Sequence, residues 1–209
     1  MIHAYTMNTL IKTVEVLGII AFALTGISAA RKKGMDIVGV YSVAMITAFG
    51  GGSLRDLILN RHPLFWIEHY EYAVLLLVMS LLASGVIAGQ FKNSKMIMVV
   101  LVLDALGLGF FSASGASVAD RLGCTAFVSS LLGVTTAVFG GVMRDIICNE
   151  VPYVFRRTEL YATCSFIGAW CYLAVAHGAG NEIVAVTACI VVTFTLRMFA
   201  IRYKIKLPI

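Results

Sequence analysis

Charged side chains are scarce in this sequence. Only 13% of its 209 residues are Asp, Glu, Lys or Arg, whereas a soluble domain carries about 25%. So few charges cannot cover a water-exposed surface, which excludes an ordinary soluble protein. Hydrophobic residues make up 60% of the chain and the mean hydropathy is +0.92. These values indicate a chain that is almost entirely membrane domain.

Motifs for metal binding, disulfides and enzyme chemistry are also lacking. The five cysteines fall within apolar segments, without a CxxC motif or a histidine at ligand spacing. The sequence contains no nucleophile elbow, no HExxH and no phosphate-binding GxxxxGK[ST]. The basic residues form short clusters between apolar runs, which is typical of membrane topology signals and not of nucleic-acid binding. We therefore predict no enzyme, no cofactor, no dedicated metal ligands and no nucleic-acid partner.

Apolar runs of membrane-spanning length follow one another along the chain. Each matches the roughly 20 residues that an α-helix needs to cross the bilayer core. We predict an all-α integral membrane protein with seven transmembrane helices in a single membrane domain, residues 1–209. The predicted spans are 10–30, 36–59, 68–90, 96–117, 121–147, 156–176 and 182–202.

Basic residues are distributed unevenly between the two sides of this membrane domain. Three would lie on the side of the amino terminus: Lys12, Arg61 and Arg121. Ten would lie on the other side: Arg31, Lys32, Lys33, Lys92, Lys95, Arg156, Arg157, Arg202, Lys204 and Lys206. Because loops rich in Lys and Arg stay in the cytoplasm, we predict an amino terminus outside and a cytoplasmic carboxyl terminus.

The chain repeats itself after 89 residues. In this register Gly51, Gly52, Arg55, Asp56, Asn60 and Pro63 meet Gly140, Gly141, Arg144, Asp145, Asn149 and Pro152. Glu15 likewise meets Asp104. Chance agreement in apolar sequence would not align charged residues, glycine and proline. We predict two copies of a three-helix unit, at about 10–90 and 96–176, followed by an extra helix at about 182–202.

The number of spans in each copy determines its direction. Three is an odd number, so the second copy must enter the membrane from the opposite side. Inverted repeats with interrupted helices are the usual frame of membrane transporters, whose ligand or ion site lies where the repeats meet. The duplication therefore predicts a transport site between the two copies.

Glycine runs lie inside the second and fifth predicted spans. They comprise Gly50, Gly51 and Gly52 in the second, and Gly140 and Gly141 in the fifth. Each glycine costs a helix on the order of 1 kcal/mol relative to alanine, and a run permits a kink that leaves carbonyls unpaired. The alternative is close helix packing. Because the pair occurs twice, with Arg-Asp following at the same spacing, we favour kinked helices beside a solvated pathway.

Two threonines also correspond under the offset. Thr47 and Thr136 each precede the glycine run of their copy by one turn. Their hydroxyls either coordinate an ion or donate to a carbonyl of the preceding turn, which is the safer interpretation for either alone.

Four charged residues follow the glycines: Arg55, Asp56, Arg144 and Asp145. A charge at the centre of a spanning helix costs roughly 2.5 to 3.5 kcal/mol, so these residues need partners or water. Sequence neighbours point about 100° apart on a helix, so we expect each Arg to pair poorly with the Asp beside it. We predict two symmetric ion pairs, Glu15 with Arg55 and Asp104 with Arg144.

This pairing leaves Asp56 and Asp145 to attract a cation or to accept hydrogen bonds from loop backbone. The alternative is that the four charges are only topology and interface anchors close to the headgroups.

With these motifs the chain resembles the bacterial relatives of the trimeric intracellular cation channels, whose domain is also catalogued as a bacterial glycine-transporter domain. The resemblance rests on two GG-x-x-RD motifs in tandem three-helix units plus a seventh helix, and covers about residues 13 to 202. It implies a homotrimer in the bacterial inner membrane, with a pore in each protomer between kinked helices two and five. Monovalent cations, chiefly potassium, would pass. The partners implied are the lipid bilayer, the permeant cations and two further copies of the chain.

The leading hypothesis is a passive potassium-permeable channel, in which water and freed carbonyls replace part of the ion's hydration shell and carboxylates favour cations. The alternative is a secondary transporter of a small amino acid such as glycine, since half-helix amino termini can hold a carboxylate. A structural protein without transport is disfavoured by the cost of burying four charges.

Overall fold

The computed structural model describes residues 2–86, 94–157 and 159–206, and within them every regular element is helical. One isolated bridge joins Glu159 and Lys206. The α-helices are α1 (Ile2–Lys32), α2 (Ile37–Ile58), α3 (Phe65–Glu68), α4 (Glu71–Val86), α5 (Ser94–Arg121), α6 (Ala126–Ile147), α7 (Ala162–Ala179) and α8 (Glu182–Tyr203). A short 3-10 helix occupies Tyr153–Phe155.

Five helices in the described part of the chain are long and apolar enough to cross a membrane. They are Lys12–Lys32 within α1, the whole of α2, Ile97–Arg121 within α5, and the whole of α6 and α8. Helix α4 adds a shorter apolar stretch, Glu71–Ala83. The all-α membrane fold is therefore confirmed, while the count of seven spans stays a prediction.

Several boundaries differ from the predicted ones. Helix α1 begins at Ile2, ahead of the predicted start at residue 10. Helix α7 begins at Ala162 and not at residue 156, because it is preceded by the 3-10 helix Tyr153–Phe155 and by residues 156–157 and 159–161, which are nonhelical. The end of the third predicted span and Lys92 lie outside the described residues. Apolar composition alone does not mark such turns.

Helices α2 and α6 begin and end alike. Asp36 and Thr125 cap their amino ends, each accepting a hydrogen bond from the backbone N–H three residues later, at 2.8 Å and 3.4 Å. Just beyond their carboxyl ends, Asn60 (φ 51°) and Asn149 (φ 54°) adopt the left-handed conformation that asparagine tolerates better than most residues. The repeated asparagine thus has a structural role in ending each helix.

Helix α1 packs against its counterpart α5, and the two run antiparallel. Glu15 and Phe22 of α1 contact Ser114 and Phe111 of α5, with an oxygen to oxygen distance of 2.8 Å and a ring centroid separation of 5.1 Å. Residue numbers rise along α1 as they fall along α5. This is the relative direction that an inverted repeat requires.

Helix α8 packs on α5 and α7, outside the duplicated units. Its first residue, Glu182, is held by three donors on one carboxylate oxygen: Ser117 at 2.7 Å, Tyr172 at 2.8 Å and Arg121 at 3.0 Å. The extra helix is therefore anchored to the second copy at this end.

Candidate functional site

The first arginine cluster consists of Glu15, Arg55, Asp56 and Ser114. Arg55 is fully buried, and its Nη1 donates to Glu15 Oε1 at 3.1 Å and to Ser114 Oγ at 3.0 Å. Its Nε donates to Asp56 Oδ1 at 2.9 Å. One guanidinium thus links α1, α2 and α5, and its charge is balanced by two carboxylates. A buried charge is tolerated only when it is paired in this way.

The second arginine cluster consists of Thr25, Asp104, Arg144 and Asp145, the residues that match the first cluster under the offset of 89. Arg144 Nη1 donates to Thr25 Oγ1 at 3.1 Å and to Asp104 Oδ1 at 3.5 Å. Its Nε donates to Asp145 Oδ1 at 2.9 Å. The two clusters are built by equivalent residues with equivalent donors. Each cluster takes its arginine and both carboxylates from one copy and its hydroxyl from the other copy.

The predicted ion pairs of Glu15 with Arg55 and Asp104 with Arg144 are both present. The expectation that each Arg would pair poorly with the Asp beside it is wrong, for Arg55 with Asp56 and for Arg144 with Asp145. An angular separation of about 100° limits only short side chains, and the long arginine side chain curls back to reach its neighbour. The interpretation of all four charges as headgroup anchors does not fit Arg55 and Asp56, which are fully buried.

Each Asp of the RD motif also orders the loop that follows its helix. The second oxygen of Asp56 accepts the backbone N–H of Phe65 at 3.0 Å, and that of Asp145 accepts the N–H of Tyr153 at 2.9 Å. Of the two roles predicted for these carboxylates, the structure contains the hydrogen bond to loop backbone.

Two cavities reach the clusters. The first cavity, about 300 Å³, is lined by Lys12, Glu15, Arg61, Phe65, Glu68, His69, Val118, Arg121 and Leu122. The second cavity, about 430 Å³, is lined by all four residues of the second arginine cluster and also by Ser28, Ala29, Lys32, Lys33, Val100, Leu101, Cys148, Glu150, Tyr153 and Arg197. From Lys12 to Lys32 an α-helix rises about 30 Å, so the cavities open at opposite ends of α1.

The mouth of the second cavity carries an ion pair between the loops. Lys33 Nζ lies 2.6 Å from Glu150 Oε1, and Arg156 Nη2 lies 3.0 Å from the other oxygen. The hydrogen bonds from these two cations hold the pKa of Glu150 below its usual value. This side of the protein therefore carries paired, exposed charges beside the second cavity.

The glycine runs lie where α2 and α6 cross. A methyl group on Gly51 would overlap the carbonyl oxygen of Thr136, and one on Gly140 would overlap that of Thr47. The hydroxyls of these threonines donate to the preceding turn, to Val43 and Leu132, both at 2.6 Å. The glycines thus allow two backbones to touch, as small residues do in membrane helix pairs.

Helices α2 and α6 are continuous through the glycine runs. A helix can bend without a break in its hydrogen-bonded turns, so the kink at each run stays a prediction. Gly51, Gly52, Gly140 and Gly141 are buried and lie beside the cavities without lining them. Gly50 borders a separate apolar groove of about 580 Å³ on the outer side of the crossing. A pore role for these residues stays a prediction.

Comparison with known proteins places this arrangement in a family. Residues 12–88 and 101–177 each match the family described as Glycine transporter. The matches begin at residues 12 and 101, which are 89 positions apart, the offset of the repeat. The chain belongs to the glycine transporter family. Helix α8 falls outside both matches.

Curated members of this family resemble the chain over its whole length. The UPF0126 inner membrane protein YadS of Escherichia coli strain K12 is 32% identical over 200 residues, which is 95% of both chains. A UPF0126 membrane protein of Deinococcus radiodurans is 30% identical over 213 residues, covering 100% of this chain and 96% of the relative. These relatives agree with a membrane location.

Solved structures of cation channels share this fold. A TRIC cation channel whose structure addresses conductance is 36% identical, with a TM-score of 0.84 over 95% of this chain and 96% of the other. The TRIC trimeric intracellular cation channel orthologue from Rhodobacter sphaeroides is 31% identical, with a TM-score of 0.86 over 93% and 98%. The resemblance to trimeric intracellular cation channels is therefore confirmed at the level of fold, and these neighbours are channels and not enzymes.

Three members of the site were missed in the sequence. Thr25 and Ser114 stand 89 residues apart and are both hydroxyl residues, so the repeat carried a signal for them. Arg197 lies outside the two copies and so has no equivalent residue under the offset, but it is a charged residue inside the last apolar run of this chain. A lone charge at that depth is itself a functional signal.

Proposed function

We propose that this chain is a passive, potassium-permeable cation channel with one route through each protomer. The observation that carries the proposal is the pair of arginine clusters, reached by cavities from opposite ends of α1, in a fold that named cation channels share. Buried charged groups are expensive in a membrane protein, and they mark ion pathways far more often than they serve packing. An ion pathway is the function that best explains two equivalent charge clusters that each adjoin a cavity.

The proposed route joins the first cavity at Glu15 to the second at Asp104, between the two copies. The carboxylates of Glu15 and Asp104 bias both entrances towards cations. Between the cavities lie the rings of Phe22 and Phe111, 5.1 Å apart, and the crossing of α2 and α6.

The glycines supply the freedom that opening requires. Because Gly51 and Gly140 present no side chains at the crossing, α2 and α6 can tilt about it without disengaging side chains. Tilting would bring Gly50 to Gly52, Gly140 and Gly141 beside the route, with the hydroxyls of Thr47 and Thr136. In this form the predicted pore residues act by movement of whole helices, and a broken helix is not needed.

The topology belongs to the same proposal. Seven spans, with the second copy inverted, put the amino terminus outside and the basic loop residues Lys32, Lys33 and Arg156 in the cytoplasm. The second cavity would then be the cytoplasmic entrance. Three copies would assemble, since the orthologue from Rhodobacter sphaeroides is named trimeric. Native mass spectrometry of the purified protein should give three chains per particle, and a single chain would contradict the trimer.

Reconstitution into planar bilayers tests the channel directly. With a potassium chloride gradient across the bilayer, we expect discrete single-channel steps whose reversal potential lies towards the potassium equilibrium potential. Protein denatured before reconstitution is the control. A bilayer that remains silent with correctly folded protein would refute conduction.

A carrier for a small amino acid is the second candidate, favoured by the description of the family that the chain matches twice. A carrier would give saturable uptake of radiolabelled glycine into proteoliposomes and no unitary currents. The two measurements on one preparation therefore separate the candidates.

A further inference from the structure

We propose that Arg197, on the helix outside the repeat, is a positioning residue that holds the second arginine cluster in place. The inference concerns the described part of the connection between α6 and α7 that begins with the 3-10 helix, namely residues 153–157 and 159–161. It rests on the proposed function only for the consequence for ion flow, because the contacts themselves are structural.

Arg197 is buried against this connection from several directions. Its Nη1 donates to the carbonyl oxygens of Leu160 at 2.8 Å and Glu159 at 3.3 Å. Its guanidinium carbon lies 5.0 Å from the ring centroid of Tyr153 and 4.9 Å from that of Tyr161. A planar cation close to two aromatic rings is a favourable arrangement that a compact ammonium reproduces poorly.

Tyr153 is the residue through which the connection reaches the second arginine cluster. Its backbone N–H donates to Asp145 at 2.9 Å, and its ring packs against that of Tyr161 with a centroid separation of 5.7 Å. Asp145 pairs with Arg144. A chain of direct contacts therefore runs from Arg197 on α8 through Tyr153 to a counter-charge of the second cluster.

The chain beyond α8 strengthens the same link. The backbone N–H of Leu160 donates to the carbonyl of Ile205 at 3.0 Å, and Glu159 bridges to Lys206. The connection is thus held by α8 and by the residues that follow it.

The loop beside the first cluster is secured differently, by residues of the first copy. There the loop residue Arg61 lies 3.4 Å from Asp56, and the guanidinium carbon of Arg55 itself lies 5.6 Å from the Phe65 ring. The extra helix therefore makes the two ends of the proposed route unequal: movement of α8 would release the second cluster and leave the first unchanged.

Thiol reactivity of Cys148 tests the link without measuring currents. Cys148 lines the second cavity and is 4% exposed. In a variant that keeps Cys148 as its only cysteine, we expect R197Q to raise the rate of maleimide modification in detergent on the order of tenfold, because the connection opens locally. R202Q, which removes an exposed charge from the same helix, should leave the rate unchanged. Equal rates in R197Q and R202Q would overturn the proposal.

R197K separates positioning from charge. Lysine keeps the charge but cannot contact both carbonyls and both rings, so a positioning role predicts faster Cys148 modification in R197K as well. It also predicts altered open times in bilayers. A Cys148 rate in R197K equal to that of the parent would refute positioning, and size-exclusion chromatography identifies any variant that fails to fold. Silent bilayers with faster Cys148 modification would reject the channel and keep the positioning role.

Discussion

Replacing Gly140 with alanine is expected to lower the thermal unfolding temperature by about 10 °C, whereas the same change at Gly141 is expected to have little effect. The methyl group at Gly140 would overlap the backbone oxygen of Thr47, and a backbone cannot rotate away as a side chain can. Overpacking costs about 1 to 3 kcal/mol or more, and each kcal/mol shifts the midpoint by about 2 to 4 °C for a chain of this size.

Gly141 is the matched control because it is adjacent in the same motif. A methyl group there would lie 3.7 Å from Arg144 Nη2 and 3.8 Å from the Tyr161 hydroxyl, which are ordinary contacts. In the first copy, G51A should behave as G140A does, because it meets the carbonyl of Thr136. Thermal unfolding followed by size-exclusion chromatography in detergent measures all three.

The comparison also decides between two roles for the glycines. If they served only to make each helix flexible, G140A and G141A would have similar effects. A large effect at the crossing glycine alone would show that the motif is built for contact between α2 and α6.

Much of the fold could be predicted from the sequence, because the membrane limits the choices. Apolar runs must become helices there, since no other open structure satisfies its backbone hydrogen bonds in lipid. The repeat then matched each helix of the first copy with one of the second. The positions of the charges along these helices paired Glu15 with Arg55 and Asp104 with Arg144. What composition could not fix was the start of α7: the predicted span included Arg156, Arg157 and Glu159, which the structure leaves in the connection before Ala162.

The site was only partly predictable, for reasons that concern geometry. The pairing of Arg55 with Asp56 depends on how a flexible side chain bends, which sequence spacing does not determine. The glycines at the crossing touch the backbone of the partner helix, and that partner is known only once α2 and α6 are placed. Arg197 acts from outside the repeat, so symmetry could not assign it.

Replacing Arg55 with methionine is expected to destabilise the protein more than the same change at Arg144. The Arg55 side chain is 0% exposed and that of Arg144 is 13% exposed to the second cavity. Breaking a buried ion pair by removing one partner costs about 3 to 5 kcal/mol, because the remaining charge has no compensation. R55M would leave the carboxylates of Glu15 and Asp56 beside each other, with the Ser114 hydroxyl on Glu15 and the partly exposed Arg61 near Asp56.

At Arg144 water from the second cavity can solvate Asp104 and Asp145, so the cost is smaller. We expect R55M to lower the unfolding temperature by about 10 °C and R144M by less than half of that. Adding E15Q to R55M should recover part of the loss, since one uncompensated carboxylate becomes neutral. Equal losses in R55M and R144M, or no recovery in the double variant, would mean that water reaches the first cluster as freely as the second. The two ends of the proposed route would then be alike, and the asymmetry attributed to burial and to α8 would have no energetic basis.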